Sequence, residues 1–207
     1  MHLNKNMIGI TQRLMKNDSY YEIREGLAID WGKLFANEDI LNNYLPLPLS
    51  YEIDFTRYAN TISGVIISGG NDIYAVNKNK LSKIRDDYEL KIIDYCINKK
   101  MPLLGICRGA QLLAYYFNLE IRQCKDHIGL HTVINNQQPI TVNSFHSYCI
   151  FNTNNKVLPL HISSDGSIES FKHVNLPIYG IMWHIEREYG DTSILKEWIN
   201  NFNKDKK

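Results

Sequence analysis

The sequence predicts an α/β domain: a mostly parallel central sheet flanked by helices, with a small antiparallel sheet. Three observations carry this. "SGVIISGG" (63–70) is a continuous β-branched run closed by two glycines, as in a parallel strand buried on both faces. "MPLLGIC" (101–107) is a second such run. Each is followed by a helical pattern, and strand–helix–strand–helix implies right-handed crossovers. From Leu119 to Ser170 the pattern changes to short alternating segments broken by Asn, Gln, Pro and Asp-Gly, which suit antiparallel strands added to the core.

The elements follow in order. "MIGITQ" (7–12) alternates and opens the sheet. Residues 20–42 carry a helical period through Ile23, Leu27, Trp31, Leu34 and Phe35. "PLPLS" (46–50) reads as an extended buried segment, because each proline biases its predecessor away from helix. Residues 80–100 form an amphipathic helix with Ile84, Tyr88, Leu90, Ile92, Ile93 and Cys96 inward and Ser82 as the expected N-cap. "RGAQLLAYYFN" is the helix after the second buried strand. "PIYGIMWH" (177–184) is one more strand, and "SILKEWINNF" (193–202) a closing helix with a charged tail.

With 207 residues, 44% hydrophobic and 22% charged, the chain is long enough to bury a core as one domain over 1–207. The net charge of +1 is scattered, which argues against nucleic acid or a membrane surface as partner. No apolar run approaches the ~18 residues of a membrane helix. Residues 1–7 lack the basic-then-apolar layout of a secretion signal. The cysteines show no CxxC spacing and no metal pattern. Cys96, Cys124 and Cys149 therefore read as reduced core thiols of a cytoplasmic protein, and no metal or cofactor is expected.

Cys107 is different. It ends a buried strand inside Gly105-Ile106-Cys107-Arg108-Gly109, the G-x-C-x-G form of a nucleophile elbow. The sharp turn pushes the side chain out and crowds the backbone, which glycine tolerates. The helix that follows directs its positive end at the sulfur and favours thiolate. A thiolate nucleophile needs a base and an orienter. "IMWHIERE" supplies His184 and Glu186 after the last strand, at a spacing that puts both on one side of an extended chain. Developing oxyanion charge needs donors. Gly69 and Gly70 of "SGGND", with the backbone N–H of Arg108, are the candidates.

With these pieces the chain resembles the class I glutamine amidotransferase-like superfamily, and within it the γ-glutamyl hydrolase branch (peptidase family C26). "IGITQR", "SGGND", "RDDYE", "GICRGAQ", "HTV" (131–133), "VNSFHS" (142–147), "SSDGSIES" (163–170) and "GIMWHIE" match its blocks in order. The branch has Pro between the His and the Glu, and Gln before the aromatic. Here Ile185 and Met182 stand there. The resemblance implies a flavodoxin-like fold and a small-molecule γ-glutamyl amide substrate, cleaved through a glutamyl thioester on Cys107, with no obligate synthase partner.

It further implies that Gln111, Ser144, His146 and Ser147 hold the glutamyl head group. The "YYEIREGLAIDW" segment resembles members of capsule phosphoramidate synthesis whose leaving group is a cytidine diphosphoramidate. Arg13, Arg24 and the tyrosines are its candidate contacts. Three alternatives stay open at this point: a hydrolase of other γ-glutamyl amines, a glutaminase subunit feeding a synthase, and a binder without activity. Arg108 argues against the second, because such subunits commonly carry Leu there. The intact Cys107, His184 and Glu186 argue against the third.

Overall fold

The computed structural model describes residues 6–135 and 138–202. Residues 1–5 and the charged tail after position 202 lie outside that range. β1 (Met7–Thr11) is the expected opening strand. β2 (Arg13–Lys16) and β3 (Ile23–Gly26) then pair as an antiparallel hairpin, and α1 (Ile29–Asn37) begins only after it. The expected helix over 20–42 is thus a strand, a helix and a 3₁₀ turn at Asp39–Leu41. Trp31, Leu34 and Phe35 face the core as the period requires. Ile23 and Leu27 share that spacing, but Ile23 is committed to the ladder with Lys16.

β4 (Leu45–Leu49) is extended but lies at the edge of the sheet, with Leu45 64% exposed, so the expectation of burial holds only for Leu49. An edge position explains the prolines, because the outer side of the strand needs no N–H donor. A short α2 (Thr56–Ala59) leads to β5 (Ile62–Ile67), then α3 (Lys80–Lys99), β6 (Leu103–Ile106) and α4 (Arg108–Tyr116). The N-cap of α3 is Asn79, whose side chain accepts from the Ser82 N–H at 2.9 Å; Ser82 itself is buried inside the helix.

The remainder is β7 (Glu120–Gln123), β8 (Ile128–Asn135), β9 (Gln138–Phe145), β10 (Tyr148–Phe151), β11 (Val157–Ser163), β12 (Ile168–His173), β13 (Ile178–Ile181) and α5 (Ser193–Asn200). β4, β1, β5, β6 and β13 form the parallel core, and β12, β11, β8 and β9 continue the same sheet antiparallel. β10 pairs with β12 and β7. Ile67, Gly105 and Gly180 stand in one row, so the carboxyl ends of β5, β6 and β13 open on one region.

The two faces of the parallel strands fill two cores. Val65, Ile67 and Leu103 pack with α3 and α4 on one side. Ile66, Leu104 and Ile106 pack with Trp183 and Trp198 on the other. Each such side chain contributes about 1.5–3 kcal/mol relative to exposure. Among the described residues no helix is long and apolar enough to cross a membrane.

Two expectations are corrected. Cys124 and Cys149 are not separate reduced thiols: they form a disulfide joining the end of β7 to β10, with Cα atoms 5.7 Å apart. Pairing of Tyr148 with Gln123 brings the two together across 25 positions of sequence. Cys96 and Cys107 are free and buried. Nor is the inward face of α3 purely apolar. Arg85, Asp86 and Glu89 are buried while Ile84 and Leu90 are half-buried.

Candidate active site

Cys107 follows β6 directly and caps α4 with φ 50° and ψ −103°, a conformation that non-glycine residues adopt only under constraint. The constraint is visible: its N–H donates to the Ile181 carbonyl at 2.7 Å, and its carbonyl accepts from the Gln111 N–H at 3.0 Å. Gly109 cannot be replaced without moving the backbone, since a Cβ there would stand 2.1 Å from the Ile67 carbonyl oxygen. The elbow is thus held by the neighbouring strands on both sides of β6.

His184 is the third residue after β13, and its Nδ1 lies 2.6 Å from Glu186 Oε1. The chain turns here rather than running extended, with Ile185 buried in the core. The turn is clamped by Asn143 of β9, which receives the His184 N–H at 2.9 Å and donates to the carbonyls of His184 and Glu188, both at 2.8 Å. Burial alone would lower the His184 pKa. The Cys107 and Glu186 side chains outweigh it and raise it to about 9. The ring is therefore set up as an imidazolium beside the sulfur.

Gly69 lies between the His184 and Cys107 side chains. A Cβ built on it would meet His184 Cε1 at 2.7 Å and Cys107 Cβ at 3.6 Å. The carbonyls of Ser68 and Gly69 both accept from Arg85, at 3.1 and 3.0 Å. In planar trans peptides this turns the N–H groups of Gly69 and Gly70 away from Arg85. A cavity of about 240 Å³ opens beside them, lined among others by Arg13, Trp31, Gly69, Gly70, His184 and Arg187.

The Arg108 side chain points away from this cavity and bridges Asp86 and Glu89 of α3, while Arg85 Nη2 reaches Glu89 at 3.0 Å. Two guanidiniums hold Glu89 below the ordinary carboxylate range despite its burial. Asp86, with one close cation, is raised by burial. The stripe Arg85, Glu89, Ile92, Cys96 at helical spacing is the signal that could have disclosed these buried charges.

The other expected residues make their contacts elsewhere. Gln111 Nε2 donates to the Tyr148 carbonyl at 2.9 Å, and Ser144 Oγ to the His127 carbonyl at 2.6 Å. The His146 ring is buried beside Cys149, with its Nδ1 3.7 Å from the sulfur. Ser147 is exposed, and its carbonyl receives the Cys124 N–H at 3.0 Å. None of the four, nor Cys107 itself, is among the cavity-lining residues. Arg24 is exposed and paired with Glu22 at 2.6 Å, outside the cavity that Arg13 lines. Asn143, Arg85 and Arg187 are the residues around this arrangement that the sequence reading missed.

The model of the glutamine amidotransferase class-I family matches residues 18–202. The chain belongs to this family. It is similar to the γ-glutamyl-CDP-amidate hydrolase of Campylobacter jejuni, at 53% identity over 195 residues, covering 93% of this chain and 97% of that protein. It is also similar to the glutamine-hydrolysing GMP synthase subunit of Methanocaldococcus jannaschii, with 29% identity over 66% of this chain and 72% of that one. Among solved folds, a GMP synthase subunit protein of Thermoplasma acidophilum superposes with TM-score 0.73 at 20% identity, covering 99% and 98% of the two chains. A glutamine amidotransferase of Thermotoga maritima gives 0.64 at 18% identity, covering 99% and 84%. The γ-glutamyl hydrolase branch expected from the motifs agrees with the Campylobacter relative.

Proposed function

We propose that this class-I amidotransferase-family chain works as one unit that hydrolyses γ-glutamyl-CDP-amidate to L-glutamate and cytidine diphosphoramidate. The observation that carries the chemistry is the convergence of Cys107, His184 and Glu186 at the ends of two adjacent parallel strands, beside a cavity. The substrate reading rests on the Campylobacter relative, which matches nearly end to end.

Cys107 Sγ attacks the γ-carbonyl as thiolate, and the oxyanion is met by N–H groups of Gly69, Gly70 and Arg108. His184 gives its proton to the departing nitrogen, leaving a glutamyl thioester. The neutral ring then takes a proton from water, whose attack frees glutamate and restores the thiolate–imidazolium pair. Glu186 holds the tautomer throughout. Gln111, Ser144 and His146 position the wall behind the glutamyl group rather than touch it. The diphosphate of the leaving group meets Arg13 and Arg187, and Arg187 already stacks over the Phe145 ring at 4.5 Å. The protein acts in the cytoplasm on this small molecule, without a synthase partner.

The test is glutamate release from γ-glutamyl-CDP-amidate, γ-glutamyl-γ-aminobutyrate and glutamine. The nucleotide conjugate should be preferred, and Cys107→Ala should abolish turnover with the circular dichroism spectrum unchanged. Turnover retained in Cys107→Ala defeats the mechanism. Preference for γ-glutamyl-γ-aminobutyrate defeats the substrate, and glutamine hydrolysis stimulated by a synthase restores the reading as a glutaminase that feeds one.

A further inference from the structure

β7 ends at Gln123 and β10 begins at Tyr148, and the chain around those ends reads Cys124-x-x-His127 and His146-x-x-Cys149. Neither half is a metal pattern alone. The antiparallel pairing of the strands superposes them, so that the two sulfurs and one nitrogen from each imidazole lie within 4.8 Å of one another. His127, His146 and Cys149 are buried and Cys124 is half-buried.

The surroundings also ask for a cation. Glu169 is fully buried, with His127 Nδ1 3.1 Å from its Oε1, and His131 Nε2 and His146 Nε2 3.5 and 3.6 Å from its Oε2. Yet these three nitrogens and Glu169 Oε2 have no aligned hydrogen bond among the described residues. Buried polar atoms left in that state are costly and call for an explanation.

We propose that reduction of the Cys124–Cys149 disulfide creates a tetrahedral zinc site from Cys124, His127, His146 and Cys149. Two thiolates and two imidazoles are the donor set of zinc rather than of magnesium or calcium. Zn–S of about 2.3 Å and Zn–N of about 2.0 Å set adjacent ligands about 3.6 Å apart. Cys149 Sγ and His146 Nδ1 are already separated by 3.7 Å. Whichever nitrogen of His127 binds, the other faces a carboxylate, Asp165 at 3.1 Å from Nε2 or Glu169 at 3.1 Å from Nδ1, and His146 binding through Nδ1 leaves its Nε2 3.6 Å from Glu169. Such outer carboxylates orient metal-bound histidines.

The chemistry balances with a thiol reductant. The disulfide and two thiol molecules give two cysteine thiols and the reductant's own disulfide. Zinc binding then expels the two thiol protons. Disulfide and zinc exclude each other, because both require the same sulfurs. Since Gln111 donates to the Tyr148 carbonyl and Ser144 to that of His127, the ion would fasten the wall behind the active site without joining the reaction.

The test uses the full chain, reduced under anaerobic conditions or oxidised with a thiol oxidant, loaded with Zn²⁺ or Co²⁺ and desalted. The reduced protein should retain about one zinc per chain, and the oxidised protein roughly ten-fold less or lower. The Co²⁺ form should show sulfur-to-cobalt charge-transfer absorption, which Cys149→Ser weakens and His131→Gln keeps. Absence of retained metal in the reduced chain overturns the proposal. So does a Co²⁺ spectrum without the sulfur band and identical in both redox states, which would place the ion on His127, His131 and Glu169. The comparison of redox states needs no variant, so a folding defect in Cys149→Ser does not blunt it.

Discussion

His184 Nδ1 and Glu186 Oε1 stand 2.6 Å apart, and the residue between them, Ile185, is buried in the core. Anchoring that apolar side chain makes the chain turn and folds the two polar groups onto one another. The carboxylate thereby fixes which ring nitrogen faces Cys107. Glu186→Gln keeps the shape but loses the charge that holds the tautomer, so kcat should fall by roughly 10²–10⁴-fold. Single-turnover glutamate release is the measurement; a rate within a few-fold of wild type would remove Glu186 from the mechanism.

The His184 pKa, raised from 6.5 to about 9, has a consequence for stability. A group whose folded pKa is raised contributes stability that is complete below its unfolded value and is lost as pH rises through the folded one. Urea unfolding should therefore show the chain weakening between pH 6.5 and 9. Removing the sulfur with Cys107→Ala should lower the ring's titration midpoint by NMR and flatten that decline.

Gly69→Ala tests the approach of the Gly69 loop to His184. The new methyl would lie 2.7 Å from His184 Cε1, so the imidazole must move. A displacement of this size costs about 10²-fold in rate. The melting temperature should change little, because the methyl meets a side chain at the cavity rather than backbone. Unchanged kcat/KM would show that the ring is placed elsewhere during turnover.

Glu89→Gln leaves the Arg85 and Arg108 guanidiniums buried with only Asp86 still carrying opposite charge. Breaking a buried pair in this way costs about 3–5 kcal/mol. Chemical denaturation should report that loss. An exposed carboxylate such as Glu120, treated likewise, should stay within about 0.5 kcal/mol.

The features legible in the sequence are those fixed by local chemistry. Gly109 must be glycine because backbone approaches it, and the runs 63–70 and 101–107 must be buried strands because they offer no polar face. What escaped depends on distant partners. Ile23 sits at a helical spacing from Leu27, yet β2 claims it for a ladder. Arg85 and Glu89 look solvated until Arg108 arrives from another helix. Cys124 and Cys149 meet only because β7 pairs with β10. Asn143 reads as an ordinary strand residue until the turn after β13 docks on it.

Glu89 also links two places that the chain keeps 38 residues apart, Gly69 and Cys107. Through Arg85 it steadies the loop of the first, and through Arg108 it steadies the step into α4 beside the second. One carboxylate thus ties the Gly69 loop and the turn at Cys107 to a common reference. Arg13 and Arg187 belong to neither half of that frame. Under the proposed reaction, the identity of the departing amine is retuned at the rim while that frame stays untouched.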